Sequence, residues 1–349
     1  MTTPPPVRIG AREIGPGCPV YLIAEIGSNH NQDRALALEM IDMAASAGAN
    51  AVKFQSIRFD ELYLEGHEDA EFREWFRQIE LDESWYADLA ARAAAANVDF
   101  LSAPTYERAV DLLEACEVPA YKLASPQVQG NLAVVRRAAR TGKPLIMSTG
   151  YCLYPDIERA VTACESEGNR NIVALHCISK YPTDPAEANL RFMDTLATMI
   201  RTPVGYSDHS LGPHLAVAAV ARGACAIEKH VTTDRDQPGP DHHFAMTFEE
   251  FGDMAGMIRD VSLALGSGER QTLLPDEMKH REFVALKAFA ARDFAAGEAF
   301  DAAAVMAYRS QKKGLAIEGI SAYEGRRTRS PVARGTLLTP DLFTDGSAA

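Results

Sequence analysis

Short β-branched apolar runs recur through the first three-quarters of the chain, each followed by a polar turn and an alanine-rich amphipathic stretch. The runs are YLIAEIG (from Tyr21), AVKFQ (Ala51), DFLSAP (Asp99), AYKLAS (Ala120), PLIMSTG (Pro144), IVALHCI (Ile172), PVGYSDH (Pro203) and AIEKHV (Ala226). Stretches between them, such as DRALALEMIDMAASAGA, carry helical periodicity. The last, TFEEFGDMAGMIRDVSLALG, opens with Thr247 and Glu250 at capping-box spacing. Strand–helix units of this number and spacing predict an α/β fold, a parallel (β/α)8 TIM barrel rather than an open doubly wound sheet. No GxGxxG follows a strand, which removes the main support for a dinucleotide fold.

Two segments break the rhythm. SIRFDELYLEGHEDAEFREWFRQIELD, after the second strand, is a long acidic insertion with aromatic residues, read as a lid or rim at the barrel mouth. GSGERQTLLPDEMKHRE is polar and irregular and reads as a linker. From about Phe283 the texture changes to short strands with glycine turns, a small β-rich domain. The expected organisation is a barrel at 1–265, a linker at 266–282 and a β-rich domain at 283–349.

The eighth run ends in a glutamate, a lysine and a histidine, although an unpaired buried charge costs several kcal/mol or changes its ionisation, roughly by the usual scales. Side chains alternate faces along a strand, so Glu228 and His230 share a face with Lys229 opposite. By the same rule Ser207 and His209 point together, away from Tyr206 and Asp208, and Lys53 and Gln55 share a face. Other strand ends carry Glu25, Lys122, Ser125, Ser148, Ser179 and Tyr181. Barrel active sites form at these carboxyl ends, so the convergence of polar groups is the informative signal.

His209 and His230 on neighbouring strands read as a pair of ligands for a divalent ion, with positions left for water and substrate. Lys53 and Lys122, with the strand-end serines, suit phosphate and carboxylate, though ion pairs to neighbours such as Glu25 are the structural alternative. Each serine alone equally suits a helix cap, and no GxSxG elbow is present. Glu25 ends an apolar strand, where burial raises a carboxyl towards a useful acid–base range. His242 and His243 read as rim residues. His30, in SNHNQD, reads as loop-ordering or catalytic.

Composition narrows the partners. The net charge of −13 disfavours nucleic acid or an anionic membrane as a partner, so an anionic substrate needs a locally positive pocket. The six cysteines are scattered without a CxxC pair and read as reduced thiols. No stretch approaches a membrane span and the start has no apolar h-region, so the expected compartment is the cytoplasm.

AEIGSNHNQD, VKFQ, PAYKLAS, STG, LHCISKYPT, GYSDHS, EKH and GPDHH occur in order, one per strand end. Together they resemble the sialic acid (N-acetylneuraminate) synthase family, which includes spore-coat polysaccharide synthases, over about Val20 to Asp341. The C-terminal region resembles the antifreeze-like (SAF, β-clip) domain of that family. The resemblance implies an alkyl-transferring enzyme that condenses phosphoenolpyruvate with an open-chain aldose. It implies a divalent metal at His209 and His230, Mn²⁺ first and Mg²⁺ or Co²⁺ as alternatives. It gives Lys53, Lys122, Ser125, Ser148 and Ser179 to phosphoenolpyruvate, and Gln55, Tyr181, Asp241 and Arg309 to the sugar. Glu25, Glu228 and His230 become the catalytic set. A domain-swapped homodimer follows, with Arg309 serving the partner's sugar.

Three departures bear on specificity. RSQKKGLAIEGI replaces the family's RPGxGI turn beside Arg309, Ser179–Lys180 stands where asparagine is common, and Gln127 stands where many relatives have an acid. They leave the acceptor open among N-acetylmannosamine, another hexosamine, a diacetamido sugar, a phosphorylated sugar and a plain aldose. Rival readings are a pyruvate-using metal aldolase and a non-catalytic carbohydrate-binding protein.

Overall fold

In the computed structural model, which describes residues 4–344, the eight apolar runs all become strands. Two three-residue strands precede them, β1 (Val7–Ile9) and β2 (Arg12–Ile14), paired as an antiparallel hairpin. The eight are β3 (Tyr21–Gly27), β4 (Ala51–Ser56), β5 (Asp99–Pro104), β6 (Tyr121–Leu123), β7 (Leu145–Ser148), β8 (Ile172–Cys177), β9 (Val204–Asp208) and β10 (Ala226–Thr232). They lie in the order β5-β4-β3-β10-β9-β8-β7-β6, every ladder parallel, with a short β11 (Met246–Thr247) added to β10. β5 and β6 lie side by side, so the sheet is a nearly closed barrel with its seam there. This is the TIM barrel that the repeating pattern predicts.

Alternation then sorts the side chains into layers. Tyr21 and Ile23, Ala51, Leu101, Ala120, Ile146, Val173 and Ala226 face inward at the lower end, where Val7, Ile9 and Ile14 of the hairpin pack against them. One step higher the inward positions become Glu25, Lys53, Lys122, Ser148, Cys177 and Glu228. The outward positions, among them Leu22, Ala24, Ile26, Val52 and Phe54, pack under the helices in the larger apolar core. Hydrophobic burial at roughly 25 cal/mol per Å² therefore holds the barrel from the bottom and the outside. The upper interior is left to polar groups.

The insertion after β4 folds as two short helices, Phe59–Leu62 and Ala70–Arg77. An aromatic cluster braces them: Phe59 stacks on Tyr63 at 5.1 Å between ring centroids, and Phe76 meets both rings edge-on at about 5.5 Å. The helix Phe248–Leu265 carries both bonds of the capping box, Glu250 N–H to Thr247 Oγ1 at 3.3 Å and Thr247 N–H to Glu250 Oε2 at 2.9 Å.

A second unit begins at Gly268. It contains the antiparallel pair β12 (Leu286–Ala290) and β13 (Val305–Arg309), several isolated bridges, and a core of Ala288, Ala290, Phe294, Phe300, Val332, Leu338 and Phe343. The segment expected to be an irregular linker instead contains the helix Pro275–Val284, with Leu274 N–H donating to Glu277 at 3.2 Å. Proline at the helix start and an acid three residues past the cap stabilise a helix that has no buried face to betray it in the sequence. The first three residues of the expected barrel domain and the last five of the expected β-rich domain lie outside the described residues.

Candidate functional site

The barrel mouth holds a cavity of about 380 Å³. Its floor is a four-membered charge cluster from four strands. Lys53 Nζ on β4 lies 3.1 Å from Glu25 Oε2 on β3 and 3.7 Å from Glu228 Oε1 on β10. Lys122 Nζ on β6 lies 3.3 Å from Glu228 Oε2. Both readings of the lysines are therefore realised: they are ion-paired, and they face the hollow. Gln55 Nε2 donates to Glu25 Oε1 at 2.7 Å, and Ser207 Oγ donates to Glu228 Oε1 at 2.9 Å. Glu25, Lys53, Lys122 and Glu228 are each at most 3% exposed. At that depth their ionisation is decided by one another, not by water.

The two carboxyls are pushed apart. Burial raises the Glu25 carboxyl, and the Lys53 ammonium only partly offsets it. At Glu228 burial also acts upward, but Lys122 and Lys53 together outweigh it and hold this carboxyl well below the ordinary range. Burial pushes both lysines towards neutrality; Glu228 and Glu25 overcome it at Lys53, whose pKa rises, and not at Lys122, whose pKa falls. A pair of carboxyls with opposed shifts divides naturally into a fixed anion, Glu228, and a proton-exchanging acid, Glu25.

Backbone irregularity shapes this floor. The β3–β4 register slips between Glu25 and Gly27, and Gly27 has φ +55°. A Cβ there would sit 3.2–3.4 Å from Asp241 Oδ2, Glu25 Oε1 and Gln55 Nε2, so a side chain would intrude on the site. Gly150, after β7, is more confined: its Cβ would fall 2.2 Å from Ser179 Oγ and 2.8 Å from Ser125 Oγ. That close approach gathers Ser125, Ser148 and Ser179 into one hydroxyl-lined wall. The Ser148 hydroxyl is buried without a hydrogen-bond partner. Such a group is expensive to leave alone, by about 1–3 kcal/mol, which marks a place for a ligand.

Above the floor, His209 and His230 stand with ring centroids 5.4 Å apart. Tyr181 packs on His209 at 4.2 Å and Phe244 on His230 at 4.9 Å. His209 Nδ1 lies 2.8 Å from the Ile178 carbonyl, which fixes the tautomer and turns the bare Nε2 away from the backbone. Desolvation drives His230 far below its ordinary range, so it is a neutral imidazole, and its Nδ1 lies 3.7 Å from Asp241 Oδ2. The two imidazoles, His230 neutral and His209 oriented by its carbonyl partner, suit a divalent ion that keeps open positions. Among the described residues no group of three or more His, Cys, Asp or Glu side chains is arranged to hold a metal ion, so the protein's own ligands would be the two imidazoles.

Of the sequence-predicted site residues, Glu25, Lys53, Gln55, Lys122, Ser125, Ser148, Ser179, Tyr181, His209, Glu228 and His230 line this one cavity. Asp241 is beside it, at His230. Arg309 is elsewhere in the chain, exposed on β13 of the second unit. The rim reading of His242 is corrected: it is fully buried, with Thr232 Oγ1 at 2.7 Å and Asn31 Oδ1 at 3.0 Å, and it pins the proline-glycine loop to the barrel. His243 is exposed. His30 takes the loop-ordering option, its Nδ1 accepting from Gln32 N–H at 3.2 Å and its ring edge-on to Trp85. Cys177 escaped the sequence reading; its thiol lines the cavity 3.9 Å from His209 Nδ1 and 3.8 Å from Ser125 Oγ. Its place at the carboxyl end of β8, two residues before Ser179, was the available signal.

Residues 40–270 match the NeuB family and residues 288–344 the SAF domain. An uncharacterised protein of Methanocaldococcus jannaschii is 41% identical, covering 76% of this chain and 77% of its own length. An N,N′-diacetyllegionaminic acid synthase of Legionella pneumophila is 34% identical, covering 94% of this chain and 96% of its own length. The crystal structure of an N-acetylneuraminic acid (sialic acid) synthetase from Leptospira borgpetersenii superposes with TM-score 0.74 at 32% identity, covering 80% of this chain and 97% of that one. No helix among the described residues is long and apolar enough to cross a membrane. With its barrel, its SAF domain and this ordered set of strand-end residues, the chain belongs to the NeuB family of sialic acid synthases.

Proposed function

We propose that this chain condenses phosphoenolpyruvate with the open-chain aldehyde of an N-acylated hexosamine, releasing phosphate and a nonulosonate, a sialic acid-like 2-keto-3-deoxy sugar acid for surface polysaccharide. The observation that carries the reading is the charge balance of the cavity floor. Two ammonium groups face one firmly ionised carboxylate and one carboxyl whose neutral form burial favours. The floor therefore accepts an anion even though the protein as a whole is acidic. A wall with an unpartnered hydroxyl stands beside it, and the His209–His230 pair above it.

Phosphoenolpyruvate meets this arrangement with its carboxylate and phosphate on Lys53, Lys122, Ser125, Ser148 and Ser179. C3 of phosphoenolpyruvate bonds to the aldehyde carbon, and water adds at C2. The C2–O bond to phosphate then breaks, leaving the 2-keto acid. Of the two water protons, one ends on the new hydroxyl and one on phosphate. Glu25 is the carboxyl suited to carry them. Glu228 stays ionised, steadies both ammonium groups and offsets positive charge developing at C2. His209 and His230 hold a divalent cation, Mn²⁺ first among the candidates, which when bound supplies Lewis-acid polarisation of the aldehyde. Gln55, Tyr181 and Asp241 orient the sugar hydroxyls.

A phosphate-release assay tests the reading. Release is expected only with phosphoenolpyruvate, a divalent cation and an aldose all present. Turnover of pyruvate in place of phosphoenolpyruvate would move the chain to the aldolases.

A further inference from the structure

We infer that Cys177 is an alkylation site for small anionic electrophiles, carboxylates that carry a leaving group on the carbon next to the carboxylate, drawn in by the charge of the cavity. The inference rests on the anion-site reading above and extends it to a group the condensation does not use. Of the six cysteines, Cys177 is the one that lines the cavity. Cys164 and Cys225 are sealed in the apolar cores, and Cys18, Cys116 and Cys152 are half-buried outside the cavity.

Strand register explains the position. On β8 Val173 and Leu175 belong to the lower interior core, and Cys177 is the next residue on the same face. It is level with Ser207 on β9, which is level in turn with Glu228 on β10. The thiol thus stands in the layer of the carboxylate that Lys53 and Lys122 face. Ser125 Oγ donates to its sulfur at 3.8 Å, and Ser179 Oγ lies 4.0 Å away. Gly150 keeps the sulfur uncovered, because a Cβ there would come within 3.2 Å of it.

A thiol in a hollow is not enough to make a site. The second observation is Ser148, 1% exposed, whose hydroxyl lines the same cavity and has no hydrogen-bond partner. With two ammonium groups on the floor, that unused donor marks a seat for a carboxylate. A carboxylate seated against this wall brings its neighbouring carbon to the sulfur, which two of the wall's hydroxyls flank. The reaction is a displacement: sulfur bonds to that carbon, the carbon–halogen bond breaks with its electron pair on the halide, and the thiol proton leaves to water. The thioether keeps the carboxylate in the anion seat and so shuts phosphoenolpyruvate out. Elsewhere the net charge of −13 gives an anionic reagent no advantage, so charge selectivity belongs to Cys177.

The test uses the full chain and two reagents of nearly one shape, anionic iodoacetate and neutral iodoacetamide, with the labelled cysteines located and timed by peptide mass mapping. The ratio of the iodoacetate rate to the iodoacetamide rate is expected to be about tenfold or more higher at Cys177 than at Cys18. Lys122→Met should remove that excess, and an unchanged iodoacetamide rate at Cys18 reports that the variant is folded; the first comparison needs the parent alone. Equal ratios at the two cysteines overturn the inference, as does iodoacetate labelling confined to Cys18, Cys116 and Cys152. Saturating phosphoenolpyruvate should slow iodoacetate at Cys177 about tenfold or more. Charge-selective labelling that phosphoenolpyruvate leaves untouched supports the alkylation site and takes phosphoenolpyruvate off this wall. Protection without charge selectivity keeps phosphoenolpyruvate there and sinks the inference.

Discussion

Adjacent positions on β10 point into two buried charge clusters that differ in one decisive respect. On the outer face Lys229 Nζ donates to Asp208 Oδ2 at 2.7 Å and to the Ser210 carbonyl, while Asp208 Oδ1 accepts from Ser210 N–H at 2.9 Å and Ser210 Oγ at 2.7 Å. Every polar atom there has a partner. On the inner face, Oε2 of Glu25 and Oε2 of Glu228 meet an ammonium group at ion-pair distance without a hydrogen bond, and Ser148 Oγ has no partner. Both clusters are buried, and both bridge neighbouring strands. Burial of charge alone does not distinguish a structural cluster from a working one; incomplete satisfaction does.

The comparison can be broken at either cluster. On the inner side, His230→Ala should lower kcat by about a thousandfold, the kinetic equivalent of several kcal/mol of lost aldehyde polarisation. Its melting temperature should stay near the parent's, because the ring stands at the mouth and not in the apolar core. Near-normal turnover would remove the metal assignment. On the outer side, Lys229→Met leaves Asp208 buried and unpaired, and should cost about 3 kcal/mol of stability in denaturant unfolding. A change well under about 1 kcal/mol would show that the outer pair does not hold β9 to β10.

A finer contrast comes from pH. The Glu25 carboxyl is raised in the folded chain, so its stability contribution is full below the unfolded pKa and is lost as pH rises through the folded value. Glutamine cannot ionise. Glu25→Gln should therefore melt level with the parent near about pH 4 and above it near about pH 8, while losing activity. A variant that melts lower at the higher pH would mean that the ionised Glu25–Lys53 pair stabilises the fold. The smallest effect concerns the second unit. If Arg309 serves the sugar, Arg309→Ala raises the KM for the aldose several-fold and leaves that for phosphoenolpyruvate near its starting value; equal shifts in both would take it out of acceptor binding.

Much of this was legible in the chain. Period-two alternation assigned Glu228 and His230 to one face and Lys229 to the other, because a strand offers no intermediate choice. The eight strands followed from the same regularity. VRI and REI, three residues each, were too short to reveal the hairpin that fills the barrel's lower end. PDEMKHREFV hid its helix because no apolar stripe marks it. Burial of His242 depends on how the 233–245 loop folds back, which no local pattern encodes. Gln127 Oε1, buried with no hydrogen-bond partner, is likewise a property of three-dimensional neighbours: the residue type was visible as a departure from the family, and its missing partner was not.

The most direct measurement is a calorimetric titration of phosphoenolpyruvate into the parent and into two lysine variants. Lys122→Met is predicted to weaken binding by about 10–100-fold, the loss of a charge-assisted contact, while Lys229→Met binds within a few-fold of the parent wherever it remains folded. Unchanged affinity in Lys122→Met would contradict the claim that the incompletely satisfied cluster is the anion site.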